Sequence, residues 1–233
     1  MAPPVTWRPG CCNHRGVENS THRPSARIRL IGQAICRLVA LLPASWPIVR
    51  PAIERYFDSA AASWDSRTGA GGFEHLETLS VALDSVRVKP ERVLDIGCGT
   101  GQTTLFLARE YPHAGVRGVD LSPEMIHRAG RRLGLDPSAR VSFRVADAAR
   151  LPWSDQAFDL VVQVNVPVFA REIARVLRPA GEYLAISTLG SGTPFFTPSH
   201  IFVRAVERAG MIPAGEGLAG SGSWQLARVP DDG

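Results

Sequence analysis

The chain has 233 residues, 45% of them hydrophobic and 21% charged, a size and composition suited to one globular domain with a full core. Its net charge of +4 is unevenly placed: residues 1–55 hold eight arginines against Glu18 and Glu54, and the remainder carries 18 basic and 20 acidic residues. The domain body is therefore slightly acidic, which argues against a nucleic-acid partner. The four cysteines, Cys11, Cys12, Cys36 and Cys98, have neither metal-site spacing nor the pattern of a disulfide framework, and fit a reducing, cytoplasmic setting.

Residues 1–25 are rich in Pro, Arg, Asn, Ser and Gly without periodicity, so a disordered tail is expected. Residues 26–42, ARIRLIGQAICRLVALL, predict a helix with Ile28, Ile31, Ile35, Leu38, Val39 and Leu42 on one face, ended by Pro43. It is too short and too charged to span a membrane. It either packs on the domain or acts as a basic amphipathic helix that touches a membrane surface or a lipid-like substrate. Residues 51–66 predict another helix, with Tyr56, Phe57, Ala60, Ala61 and Trp64 at helical spacing. TGAGG, 68–72, predicts a joint, and 73–88 one helix with Leu76, Leu79, Leu83 and Val86 inward, broken at Lys89-Pro90. These segments divide the chain into a tail (1–25), an N-terminal helical lid (26–72) and a main domain (73–233).

From Arg92 strands and helices alternate, as in a parallel sheet with crossover helices. Strands are expected at 92–96, 116–120, 141–145, 158–164 and 182–187, and near 211–216 and 223–229. Helices are expected near 101–111, from Pro123 with Ser122 as its cap, at 168–177 and at 199–209. The first strand runs into VLDIGCGTG: Asp95 at its tip, then Gly97, Gly99 and Gly101 at alternate positions, then a helix. Glycines let the turn bend sharply and approach a ligand, and open α/β sheets bind ligands at strand tips. The dinucleotide fingerprint G-x-G-x-x-G is not matched, because Gln102 stands where its third glycine would be. A carboxylate ahead of the glycines suits a cation better than a pyrophosphate. Cys98, inside the turn, reads as a small turn residue rather than a nucleophile. Asp120 closes the second strand, 19 residues beyond Gly101, where an acid can accept two ribose hydroxyls. Leu121 and Met125 follow, placed to lie against an adenine.

VLDIGCGTG resembles the nucleotide-binding motif of S-adenosylmethionine (SAM)-dependent methyltransferases of the Rossmann-like class, and two further passages share the resemblance. YFD…A…WD, from Tyr56, is similar to a segment that folds over the cofactor in small-molecule methyltransferases. LPWSDQAFDLVV, from Leu151, is similar to the family's passage into its fourth strand. The resemblance implies a three-layer α/β sandwich around a seven-stranded, mostly parallel twisted sheet, order 3-2-1-4-5-7-6 with the last strand antiparallel. It implies SAM as cofactor, Tyr56 near its methionine end with Trp64 as a second candidate, and Asp147 accepting from the adenine amino group beside the Ala148 backbone N–H. Asn165, just past strand four, then stands beside the methyl-transfer centre.

Methyl transfer from a sulfonium needs chiefly alignment and exclusion of water. A base is needed only where the acceptor must lose a proton; His200, opening the last helix, is the best placed histidine, and no catalytic group beyond Asn165 and His200 suggests itself. NVPVF replaces the N-P-P-Y motif of nucleic-acid amino-methyltransferases. The acceptor pocket is expected between the lid, Asn165 to Phe169 and the loop 189–198, with Phe195, Phe196 and Trp153 making it partly apolar. The expected function is transfer of a methyl group to a small, partly apolar acceptor, without a metal; the alternative is a SAM-binding regulator that does no chemistry.

Overall fold

The computed structural model describes residues 25–68, 76–134 and 139–231. Apart from Ser25 and Thr68, the expected tail and joint lie outside the described residues. Seven strands form one sheet in the order β3-β2-β1-β4-β5-β7-β6: β1 (Arg92–Ile96), β2 (Gly115–Asp120), β3 (Val141–Val145), β4 (Phe158–Val164), β5 (Leu177–Ser187), β6 (Ile212–Ala219) and β7 (Gly222–Arg228). β1 to β5 pair in parallel, and β7 is antiparallel to both β5 and β6. This is the architecture and order the resemblance implied.

The helices are α1 (Ala26–Leu41), α2 (Trp46–Ala60), α3 (Trp64–Thr68), α4 (Glu77–Leu83), α5 (Gln102–Glu110), α6 (Pro123–Leu133), α7 (Ala170–Val176) and α8 (Ser199–Arg208). Period-two alternation along the central strands supplies a core on each face of the sheet. Leu94, Ile96 and Val161 pack with Ile173, Val176, Phe202 and Val206 of α7 and α8. Val93, Leu160 and Val162 pack with Leu79 of α4 and Leu107 of α5 on the other side. Ser122 caps α6 as expected, its side chain accepting from the Met125 N–H, with Pro123 in first place.

Three expectations need correction. Residues 73–75 of the helix expected over 73–88 lie outside the described residues, and within 76–88 the α-helix is α4, Glu77–Leu83. It stops because the Arg87 and Val88 N–H groups donate to the buried Glu182 carboxylate, at 2.7 and 2.9 Å, instead of to a helical carbonyl. β5 starts at Leu177, five residues before the expected 182, with a register irregularity between Phe158 and Leu160 of its partner β4. Finally, α1 turns inward a face rotated from the expected one, which keeps only Val39 and the half-buried Ile35 of the expected row. Gly32, Cys36, Val39 and Ala40 are buried, whereas Ile28, Ile31, Leu38 and Leu42 are exposed. Gly32 sits directly on Pro194, where a Cβ would come within 2.6 Å of the Pro194 carbonyl oxygen. Gln33 Nε2 donates to the Ser191 and Thr193 carbonyls. Close approach to the 189–198 loop, rather than hydrophobicity, selects the inward face. Among the described residues no helix is long and apolar enough to cross a membrane.

Candidate functional site

The sheet register brings the tips of β1, β2 and β4 side by side. Ile96 pairs with Val119 on one side and Gln163 on the other. The chain leaves β1 by a turn in which Gly97, Gly99 and Gly101 all have positive φ, at 71°, 52° and 90°. Only glycine adopts such values freely. The turn is pinned to β2, since the N–H groups of Gly97 and Cys98 both donate to the Val119 carbonyl, at 2.7 and 2.9 Å. Gly101 also has no room for a side chain, because a Cβ would lie 2.8 Å from Phe143.

Asp95 is buried under this turn. One carboxylate oxygen accepts from Thr104 Oγ1 at 2.6 Å, and the other has no hydrogen-bond partner in the structure. Burial pushes its carboxyl up to about 7, against the Thr104 hydrogen bond, and nearby Asp120 adds to the rise. Asp120 braces the turn from the tip of β2: it accepts from the Gly99 N–H and the Ser122 N–H, both at 2.9 Å. Its carboxyl is also raised by burial, against those backbone hydrogen bonds. Two carboxylate oxygens carry more lone pairs than these contacts use, so Asp120 keeps capacity for further donors. Burial raises the Cys98 thiol well above its ordinary value, with Asp95 and Asp120 adding to it. A neutral thiol is a poor nucleophile, in keeping with a turn residue.

Asn165 lies just past β4 with a positive φ of 55°. Its side chain is tied to β5: Nδ2 donates to Thr188 Oγ1 at 2.8 Å, and Oδ1 accepts from the Thr188 N–H at 3.1 Å. Met125 is fully buried in α6, and Leu121 and Ala148 are partly buried, both packed against the cluster of Val39, Trp46 and Phe169. Asp147 and Ala148 follow β3. Tyr56 is 41% exposed, edge-on to Phe57. His200 is exposed at the start of α8. Trp153 is not at this edge: its ring packs on Phe158, the first residue of β4, with centroids 5.2 Å apart. Seven strand residues separate it from Asn165, about 20 Å, so it is removed from the expected acceptor pocket.

α2 and α3 lie over the strand tips. Phe57 contacts Trp64 and, from the 189–198 loop, Phe195. Asp58 accepts from Ser122 Oγ. Asp65 accepts from Thr100 Oγ1 at 2.6 Å and pairs with Arg132 of α6. These two acids belong to the YFD…WD passage, yet the contacts by which they hold α2 and α3 in place are to partners more than 30 residues away. Trp46 and Arg50, at the start of α2, both reach Asp147. The sequence had pointed to neither.

A positive-φ glycine turn, a buried acid with a free oxygen and a braced acid at the next strand tip suit a nucleoside with a cationic tail. The Asp147 end is filled by the chain itself. Residues 93–181 match the family model described as a methyltransferase domain. The chain is 37% identical over 154 residues to the malonyl-[acyl-carrier protein] O-methyltransferase of Halorhodospira halophila, covering 63% of this chain and 50% of that protein. It is 32% identical over 187 residues to the enzyme of the same name from a Paenibacillus species, covering 73% and 66%. A SAM-dependent methyltransferase from Aquifex aeolicus superposes with a TM-score of 0.57 at 19% identity, over 67% of this chain and 92% of that one. The chain spans between half and two thirds of the length of these two curated relatives. Its fold is that of the class I SAM-dependent methyltransferases. Within that class, residues 93–181 make up a methyltransferase domain, for which SAM is the expected cofactor.

Proposed function

We propose that the chain is an active methyltransferase that holds SAM across the tips of β1, β2 and β3 and methylates a small, partly apolar acceptor. The observation that carries this reading is the single edge formed by Asp95, the turn Gly97-Cys98-Gly99-Thr100-Gly101 and Asp120, closed over by α2 and α3. In this reading the glycine turn cradles the amino-acid end, with Tyr56 on the lid above it. Asp120 takes the ribose hydroxyls. Leu121, Met125, Asp147 and Ala148 form the adenine end.

SAM supplies a methyl group activated by its positive sulfur. The chain's own residues orient the partners and keep water out. Asn165, locked to Thr188, gives the β4 tip a fixed shape rather than a mobile polar group. Phe57 and Phe195, in contact across the lid, make the covering apolar. An acceptor that is already ionised, such as a carboxylate, needs no general base. The two curated relatives are named for O-methylation of a malonyl group on a carrier protein, which supports a carboxylate-bearing acyl acceptor.

The test is release of S-adenosylhomocysteine from SAM with a panel of acyl carboxylates and small aromatics, against tRNA and histones. Turnover only with the small acceptors supports the reading; better turnover with tRNA or histones refutes it. The cover that Trp46 places on Asp147 favours a second reading, a SAM-fold regulator that does no chemistry. Stoichiometric binding without turnover on any acceptor would select that one.

A further inference from the structure

Trp46 is the first residue of α2, next to Pro47 and after the short turn Pro43–Ser45. It is only 6% exposed. Its indole N–H donates to both oxygens of Asp147, at 2.8 and 3.0 Å. The ring stands edge-on to Phe169, with centroids 4.9 Å apart. Trp46, Val39 and Phe169 form a small buried cluster, against which Leu121, Ala148 and Val166 pack. Arg50 Nε sits 3.2 Å from the same carboxylate.

A flat aromatic ring with one edge N–H aimed at a carboxylate has the shape and donor pattern of an adenine presenting its amino group. Leu121, Asp147 and Ala148 are among the residues that the proposed function gives to adenine; the indole hydrogen-bonds Asp147, and Leu121 and Ala148 pack against the cluster to which it belongs. We propose that Trp46 is a stopper in the adenine subsite: the chain competes with its own cofactor, which gains the subsite only when the start of α2 withdraws. The inference rests on the proposed cofactor site and adds a residue that controls access to it.

The arm that carries Trp46 is suited to such a movement. α1 is held by small residues, by Gly32 against Pro194 and by two Gln33 hydrogen bonds to loop carbonyls. Its largest side chains face outward: Leu30 and Ile31 are exposed, as is Ile48 of α2. Withdrawal of the start of α2 would uncover the three-residue cluster Val39, Trp46 and Phe169 and leave the two larger cores on the faces of the sheet in place. When only an open fraction can bind, the apparent dissociation constant is the intrinsic one divided by that fraction. Removing the stopper must then tighten binding.

The experiment is calorimetric titration of the full chain with S-adenosylhomocysteine, for wild type, Trp46→Ala and Trp46→Phe, with thermal melting of each as a folding control. The stopper predicts binding by Trp46→Ala at least about tenfold tighter than wild type. Trp46→Phe, which keeps a ring but loses the N–H to Asp147, should fall between. In stopped-flow mixing, the wild-type association rate should level off at high ligand concentration, and that of Trp46→Ala should keep rising. Equal or weaker binding by a folded Trp46→Ala, or by Trp46→Phe should the alanine variant not fold, overturns the stopper and leaves the cofactor site standing. Failure of all three folded proteins to bind overturns the cofactor site as well.

Discussion

Replacing Asp95 by Asn should stabilise the protein at neutral pH and leave it no more stable in acid. Asp95 is 1% exposed, and burial pushes its carboxyl up to about 7 from an ordinary value of 3.8. The folded state therefore keeps a proton that the unfolded chain has lost between those two values. Stability contributed by this group falls as pH rises through that window and is flat above it. A tenfold difference in acid constant is about 1.4 kcal/mol, so the ionised group costs the fold about 4 kcal/mol above pH 7. Asn retains a carbonyl to accept from Thr104 Oγ1. Its new amide N–H would occupy the place of the unpartnered oxygen, a penalty of about 1–3 kcal/mol. The net gain at pH 8 is then about 1–3 kcal/mol. The assay is urea unfolding of both proteins at several pH values; because every other group titrates in both, the difference isolates Asp95. Between pH 5 and pH 8 wild type should lose about 3 kcal/mol relative to the variant. A difference that does not change with pH would refute the reasoning.

Other outcomes follow from single contacts. Glu182 is fully buried and accepts from the Arg87 and Val88 N–H groups and from Arg228; Glu182→Ala strands all three and should cost about 3–5 kcal/mol in urea unfolding. Gly32→Leu places a side chain into the Pro194 backbone and should cost about 1–3 kcal/mol, read as faster proteolysis of the α1–α2 arm while residues 92–228 stay protected. Asp65→Ala removes a half-exposed latch to Thr100 and Arg132; global stability should change by less than about 1 kcal/mol, whereas amide exchange across 46–66 should quicken several-fold.

Much of the fold could be read from local pattern. β3 and β4 begin and end at the expected residues, 141–145 and 158–164, because buried apolar runs between turns leave little freedom. The glycine turn and the Ser122-Pro123 helix start were equally local. What could not be read depends on distant partners. α4 ends early because Glu182, 95 residues on, captures two N–H groups. The inward face of α1 answers to a loop about 160 residues away; the small-residue row Gly32, Cys36, Ala40 was the available signal, masked by the larger Ile and Leu row. Aromatic character alone points Trp153 to the acceptor pocket, whereas its packing on Phe158 sets it at the start of β4, the end of the strand away from the glycine turn. Trp46 lies between two periodic segments, so no repeat marked it.

The most direct test of the central claim, that SAM binds across these strand tips, is calorimetric titration with SAM of wild type and Asp120→Asn. Asn keeps a carbonyl for one of the two backbone donors that Asp120 serves, so the turn is disturbed less than by alanine. The account predicts one SAM per chain for wild type and binding at least about tenfold weaker in a folded variant, the equivalent of about 1.4 kcal/mol. Unchanged affinity in the variant, or wild-type binding of NAD in place of SAM, would contradict it.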